Sequence, residues 1–465
     1  MGAGVSSWRL ARAVSQAGQL GVVSGTALDT ILIRKLQEGD PTGEIRSAFQ
    51  SFPIPGVADR VLNQYFMNGG KPRGRAFKAI PLPSIQPSAA SVELTVLANF
   101  TEVFLAKKGH QSAVGINYLH KIQLPTLASL FGAMLAGVDY ILMGAGIPIA
   151  IPSILDQLAR GEPVRLRLEV DGEMPDEEFH CEFRPADFCM GNPPALKRPL
   201  FLAIISSTAL ALTLARKASG RVDGFIIEAE SAGGHNAPPR GPKQLNDRGE
   251  PIYGSRDTPD LEKIRGLGLP FWLAGSRATP ARLADALKAG AVGVQVGTAF
   301  AFCEESGIAD GLKSLVLQKA MNGSLDVFTD PLASPTGFPF KVARIMGTVS
   351  DHEIYTARDR VCDLGYLRRP YRKLDGTLGY RCPGEPEAHY VAKGGMLADT
   401  IGRKCVCNGL VSTIGLGQVL PEGSLEPALV TAGDDALGLA RFLPANGNSY
   451  SAADVIRCLL SSDQN

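Results

Sequence analysis

The sequence predicts an α/β fold, a TIM (β/α)8-type barrel, and three observations carry that prediction. Seven short apolar runs lie in the first two thirds of the chain, and helix-length segments separate most of them. Strand, crossover helix and parallel strand then repeat several times, which favours a barrel over an open sheet. The runs are 20–25 (LGVVSG), 113–117 (AVGIN), 138–146 (VDYILMGAG), 199–206 (PLFLAIIS), 222–229 (VDGFIIEA), 270–275 (PFWLAG) and 291–300 (AVGVQVGTAF). Between the last two, residues 279–290 (TPARLADALKAG) read as a helix. Thr279 is placed to cap it, Pro280 to open it and Gly290 to end it.

The alternation has interruptions. Residues 26–112 are too long for one crossover and predict a helical excursion. The charged stretch 165–183 reads as a hairpin turning at Asp171–Gly172, inside an insertion of about residues 163–195. After residue 325 the alternation fades into Pro/Gly-rich loops. The expected organisation is therefore a barrel over 1–325 and a C-terminal lobe over 326–465.

Composition removes several function classes. A net charge of +1 without a basic block leaves no electrostatic footprint for nucleic acid. No uninterrupted apolar run reaches the ~18 residues a membrane helix needs. The longest, 200–215, is broken by Ser206, Ser207 and Thr208 and reads as a strand followed by a helix. Eight dispersed cysteines, with no signal-peptide order at the N-terminus, fit a reducing cytoplasm. Cys362, Cys382, Cys405 and Cys407 fall in the tail. Four thiolates can hold zinc or an iron–sulfur cluster, but these lack paired Cys-x2-Cys spacing, so they read as reduced structural cysteines and no metal is expected.

Two segments suggest an anion site. LAGSRATP (273–280) follows one candidate strand and opens a helix, and QVGTAF (295–300) closes the next. In barrels a phosphate site commonly forms from the loops after strands seven and eight, where glycine turns and helix N-termini converge their N–H groups. Gly275, Ser276, Gly297 and Thr298 are the expected ligands, with Gln295 and Val296 leading into them. The Gly-x-Gly of MGAGIPIAIP (143–152) is not a dinucleotide fingerprint. Two prolines follow it, and the third glycine and helix start are missing.

The stretch FIIEAESAGGHNAPPRGP (225–242) runs from an apolar strand through Glu228, Gly233 and Gly234 to His235. Barrel enzymes place their chemistry at strand C-termini, and imidazole exchanges protons near neutral pH. His235 is therefore the candidate catalytic group, and the glycines would let backbone approach a ring closely. Glu230 reads as a solvated loop acid and His120 as a packing residue, while Lys121 could approach the site from its own loop. SPTGFPFKV (334–342) reads as a loop returning to the barrel mouth.

Taken together, SSWRLARAVSQAGQLGVVSG, VGINYLHKIQLP, VDYILMGAG, SAGGH and the final LAGS…GVQVGTAF pair resemble the nitronate monooxygenase family, formerly called 2-nitropropane dioxygenases, over most of residues 4–325. The resemblance implies flavin mononucleotide (FMN) on a barrel, with a small-molecule substrate and O2 as partners. It implies Asn117 as a flavin ligand, Gly233 beside the catalytic His235, and Gly275–Ser276 and Gln295–Thr298 at the phosphate. Three departures stand out. The family's first strand is absent, so the barrel is expected to lack it, and an upstream extension is expected in the full-length protein. Glu228 stands where the family usually has Gln, and Ser276 replaces a glycine. EAESAGGH also resembles the loop of stand-alone flavin enoyl reductases that accompany polyunsaturated fatty acid and polyketide synthases. That second resemblance implies enoyl-thioester reduction and a synthase complex. A catalytically idle flavin-binding or complex-forming protein is the third reading, and a homo-oligomer stays open under each.

Overall fold

In a computed structural model the described residues are 2–445 and 447–461. Fourteen strands occur among them: β1 (Gly21–Ser24), β2 (Val114–Leu119), β3 (Tyr140–Gly144), β4 (Val164–Arg167), β5 (His180–Phe183), β6 (Leu200–Ile205) and β7 (Gly224–Glu228), then β8 (Gly234–His235), β9 (Phe271–Ala274), β10 (Gly293–Gln295), β11 (Asp326–Asp330), β12 (Phe340–Arg344), β13 (Arg369–Arg372) and β14 (Leu378–Arg381). Seven form one sheet in the order β1-β2-β3-β6-β7-β9-β10, every pair parallel.

Side chains alternate across this sheet, as a period of two requires. Ile141, Met143, Phe201, Phe225, Ile227 and Phe271 turn outward into the main core. Val22, Leu142, Leu202, Ile226, Trp272 and Val294, one from each of six strands, turn inward and line a single cavity of about 500 Å3. Six strands can face one cavity only if the sheet curls around it. Among the described residues β1 and β10 do not pair with each other, so the curl is open on that side. The barrel class and its missing strand are thus as the sequence implied.

The crossover helix capped by Thr279 is Pro280–Lys288, and Thr279 Oγ1 accepts from Arg282 N at 3.3 Å. β1 is linked to β2 through helices Leu28–Gln37, Glu44–Phe49, Val57–Tyr65 and Ala89–Lys107. The last corrects the reading of the apolar runs. It is long and apolar enough to cross a membrane by length and composition, although Glu93 and Glu102 interrupt its run. It is a packed core helix, with two thirds of that window buried. Glu102 is buried because it has partners: Trp8 N donates to it at 2.9 Å and Lys35 Nζ at 3.2 Å.

β4 and β5 form an antiparallel hairpin. A tight turn forms at Asp171–Gly172 as expected, with Glu173 N donating to Val170 O at 3.4 Å and Gly172 at φ 75°. It lies inside a longer connection, 168–179, from which Asp171 also bridges with Tyr371.

The residues after 325 pack into the barrel's own core. Leu364, Tyr366, Val406 and Leu410 join the cluster that holds Phe131 and Phe225. Arg34, buried on helix Leu28–Gln37, donates to Leu416 O at 2.6 Å. Arg358 grips Glu426 through two bonds of 2.8 and 2.9 Å, with both side chains buried. β12 pairs antiparallel with β11 and with β8, setting Phe340 opposite His235.

Candidate active site

The two predicted anion loops lie at the same end of the sheet. Gly275 and Ser276 follow β9 and Gly297 and Thr298 follow β10. All four line the large cavity beside Gln295 and Val296. The chain reverses at Gly275 with φ 91° and continues through Ser276 at φ 48°, a left-handed conformation rare for a residue with a Cβ. That turn leaves Ser276 Oγ and Arg277 Nε buried without a partner. Two buried donors lacking an acceptor suit the phosphate of a flavin, so these residues fit such a group. One acceptor is already present on the far side of the turn, where Asp435 Oδ2 takes Ala278 N at 3.3 Å. Thr298 Oγ1 accepts from Gly433 N at 2.9 Å and keeps its own proton free to donate.

A second cavity, of about 470 Å3, opens at the barrel mouth and is lined by Asn117, Gly234 and His235. Glu228 and Gly233 line both cavities, so the two are contiguous there. Burial pushes the Glu228 carboxyl up to about 7. Near neutrality a sizeable fraction therefore carries a proton and can donate, which an ionised carboxylate cannot do.

His235 is fixed by β8 and by the returning loop. Its Nε2 lies 2.6 Å from Ser334 Oγ, and its ring meets Phe340 edge-on at 4.7 Å. Ser334 Oγ also receives Thr336 N at 3.2 Å and lies 2.8 Å from Thr336 Oγ1. If Ser334 gives its own proton to Thr336, its oxygen accepts from Nε2–H. That assignment of the network leaves the lone pair on Nδ1. Burial, with nearby positive charge that includes Lys121, pushes the imidazole down to about 3. His235 is thus neutral at physiological pH, able to accept a proton and unsuited to storing one.

The other predicted residues fall as follows. Asn117 lies two residues before the end of β2, opposite Ser24 on one side and Leu142 on the other. At Gly233 a Cβ would meet Ala432 C and Gly433 N at 2.7 Å, so its close neighbour is the C-terminal segment. Gly234 is required by its φ of 83°, and the space above it is open. His120 packs against Gly146, where any Cβ would strike it. Lys121 Nζ stands 4.2 Å over the Phe338 ring, and Glu230 is exposed. A hydrogen bond with Cys382, then burial, raises the Cys362 thiol, and burial raises those of Cys405 and Cys407, the last to about 12. No group of three or more His, Cys, Asp or Glu among the described residues is arranged to hold a metal. Tyr366 and Cys407 also line the mouth cavity. Nothing local in the sequence singled out Tyr366, whose signal is tertiary: it donates to buried Asp29.

The nitronate monooxygenase family model matches residues 195–329, from just before β6 to the end of β11. The chain is an enzyme of the flavin oxidoreductase type, and in that segment it is similar to nitronate monooxygenases. No curated protein matches it in sequence. Similar solved structures include FabK from Thermotoga maritima, at 15% identity and TM-score 0.45, covering 98% of this chain and 88% of that one. Another is nitroalkane oxidase from Streptomyces ansochromogenes, at 18% and 0.44, covering 99% and 92%. A third is the enoyl reductase domain of MlnA from the macrolactin biosynthesis cluster of Bacillus amyloliquefaciens, at 11% and 0.45, covering 98% and 90%. At these values the likenesses say nothing about substrate.

Proposed function

We propose that the protein uses FMN to oxidise alkyl nitronates with O2, giving a carbonyl compound and nitrite. The observation that carries this reading is a neutral, half-buried imidazole just beyond the C-terminal end of a barrel strand, held by Ser334 and lining the mouth cavity. The flavin supplies the electron transfer between nitronate and O2. The protein's part is positional and acid–base. His235 Nδ1 takes the acidic proton from the carbon beside a nitro group, or bonds the nitronate once formed. Ser334 fixes the ring's orientation, and Phe338 and Phe340 keep water from its face. Glu228, in its protonated form, donates toward the flavin ring, while Ser276, Arg277 and the Gly297–Thr298 turn hold the phosphate. A cytoplasmic setting accords with the unpaired cysteines.

A second reading, reduction of enoyl thioesters, is favoured by Glu228 itself, since EAESAGGH resembles the enoyl reductase loop more than the monooxygenase one. Anaerobic mixing separates the two. Bleaching of the flavin absorbance by ethylnitronate, with none by NADPH, is the expected result. Bleaching by NADPH followed by turnover of an enoyl thioester would reverse the assignment.

A further inference from the structure

A third cavity, of about 250 Å3, lies behind the loop that holds His235 and has no part in the chemistry described so far. Three guanidiniums from separate segments line it: Arg369 on β13, Arg381 on β14, and Arg403. Neither Arg369 nor Arg403 has a carboxylate within ion-pair distance among the described residues. Arg369 donates to Thr336 O at 3.0 Å, and Arg403 donates to the carbonyls of Leu332, Ser334 and Asp399. Arg381 reaches Asp171 at 3.7 Å and Lys393 O at 3.0 Å, and its Nε is buried with no partner. Of the two acids lining the cavity, Asp171 is half-exposed and Asp399 accepts from Tyr390 at 3.3 Å. The cavity therefore holds an excess of positive charge and an unanswered buried donor.

We infer that this cavity binds a phosphate group carried on the remote end of the substrate. Three guanidiniums, two of them from register partners across the β13–β14 hairpin, suit the several oxygens of a phosphate, whereas one planar carboxylate is satisfied by a single fork. At about 250 Å3 the space falls below the ~300–1,000 Å3 of pockets that enclose whole ligands, so it takes a head group. The arginine cavity and the mouth cavity are neighbours across a single loop. Thr336 contributes its carbonyl to Arg369 and its side-chain oxygen to Ser334, which holds His235. One loop, 334–338, thus walls both the arginine cavity and the mouth cavity. The inference rests on the His235 cleft being the substrate site, whichever of the two reactions runs there.

Calorimetric titration of the flavin-loaded full chain with coenzyme A and with inorganic pyrophosphate tests it without turnover. Both probes should bind, compete with each other and weaken as salt rises. Arg369→Gln, which loses one carbonyl bond and one charge, should reduce both affinities about ten- to hundredfold. Arg381→Lys, which keeps the charge but not the fork, should weaken them as well, and it guards against a general folding defect in the first variant. Binding of pyrophosphate without coenzyme A would assign the site to free phosphate and overturn a substrate role. Absence of binding at millimolar probe, or affinities unchanged in both variants, would overturn the site altogether. Flavin bleaching reports on the His235 cleft and this titration on the arginine cavity, so either can fail without the other.

Discussion

The two ends of the candidate site are built in different ways. At the phosphate end, each turn follows directly from the strand that carries it: Gly275 and Ser276 come straight after β9, and Gly297 and Thr298 straight after β10. At the imidazole end, the residue holding His235 is Ser334, 99 positions away in the chain. Tyr366 and Cys407, from farther still, complete the cavity wall. In the proposed reading the barrel's own turns would grip the cofactor, braced by Gly433 and Asp435 of the tail, while around the imidazole the tail supplies most of the surroundings themselves. A single barrel scaffold can thereby keep its flavin and change its reaction.

The sharpest way to separate the ends is His235→Asn. Flavin content should stay at the parent level, because no phosphate-end residue is touched. Turnover of neutral nitroalkane should fall about 10²–10⁴-fold in kcat/KM, the usual worth of a positioned base. Turnover of preformed nitronate should fall less, since its proton is already gone. Comparing the two substrates by oxygen consumption checks this; equal retention of both would strip His235 of its role.

Breaking the tail tests whether it is part of the same structure as the barrel. Arg358→Ala leaves Glu426, almost fully buried, without its bidentate partner. Loss of one member of such a pair costs about 3–5 kcal/mol. Because tail and barrel share one core, denaturant unfolding should show a single transition moved to lower concentration. An early transition that spared the barrel's flavin would mean that the tail folds as its own unit.

The same contrast explains what could be read from the sequence. All seven barrel strands were visible because parallel strands buried on both faces give continuous apolar runs. The cap at Thr279 was visible because capping is local. The glycine-rich turns and His235 were visible as punctuation at strand ends. Ser334 and Phe340 could be placed near the mouth only as members of a returning loop. Their contact with the imidazole depends on β12 pairing with β8, a register no local pattern encodes. The crowding of Gly233 by Ala432 and Gly433 is equally tertiary and has no local signal. The arginine cavity is composite too, drawing Arg369, Arg381 and Arg403 together from three segments.

The smallest expected effect concerns the residue shared by both ends. Glu228 titrates near 7 in the folded chain against 4.5 for an ordinary glutamate. Between those values the folded state holds a proton that the unfolded state has released, so this group's contribution to stability is lost as pH rises through the window. His235 works in the opposite direction. Lowered from 6.5 to about 3, it makes the protein lose stability as pH falls between those values, where the unfolded imidazole takes up a proton. Glu228→Gln should remove the first slope and keep the second: between pH 4.5 and 6.5, where the two offset each other in the parent, Tm of the variant should climb with pH, and from 6.5 to 7 it should level off where the parent declines. The amide still donates toward the ring, so flavin should remain bound and its absorbance should lose any titration near neutrality. If Tm of the variant declines toward pH 7 as steeply as that of the parent, the proton belongs to some other group, and Glu228 meets the flavin as a carboxylate.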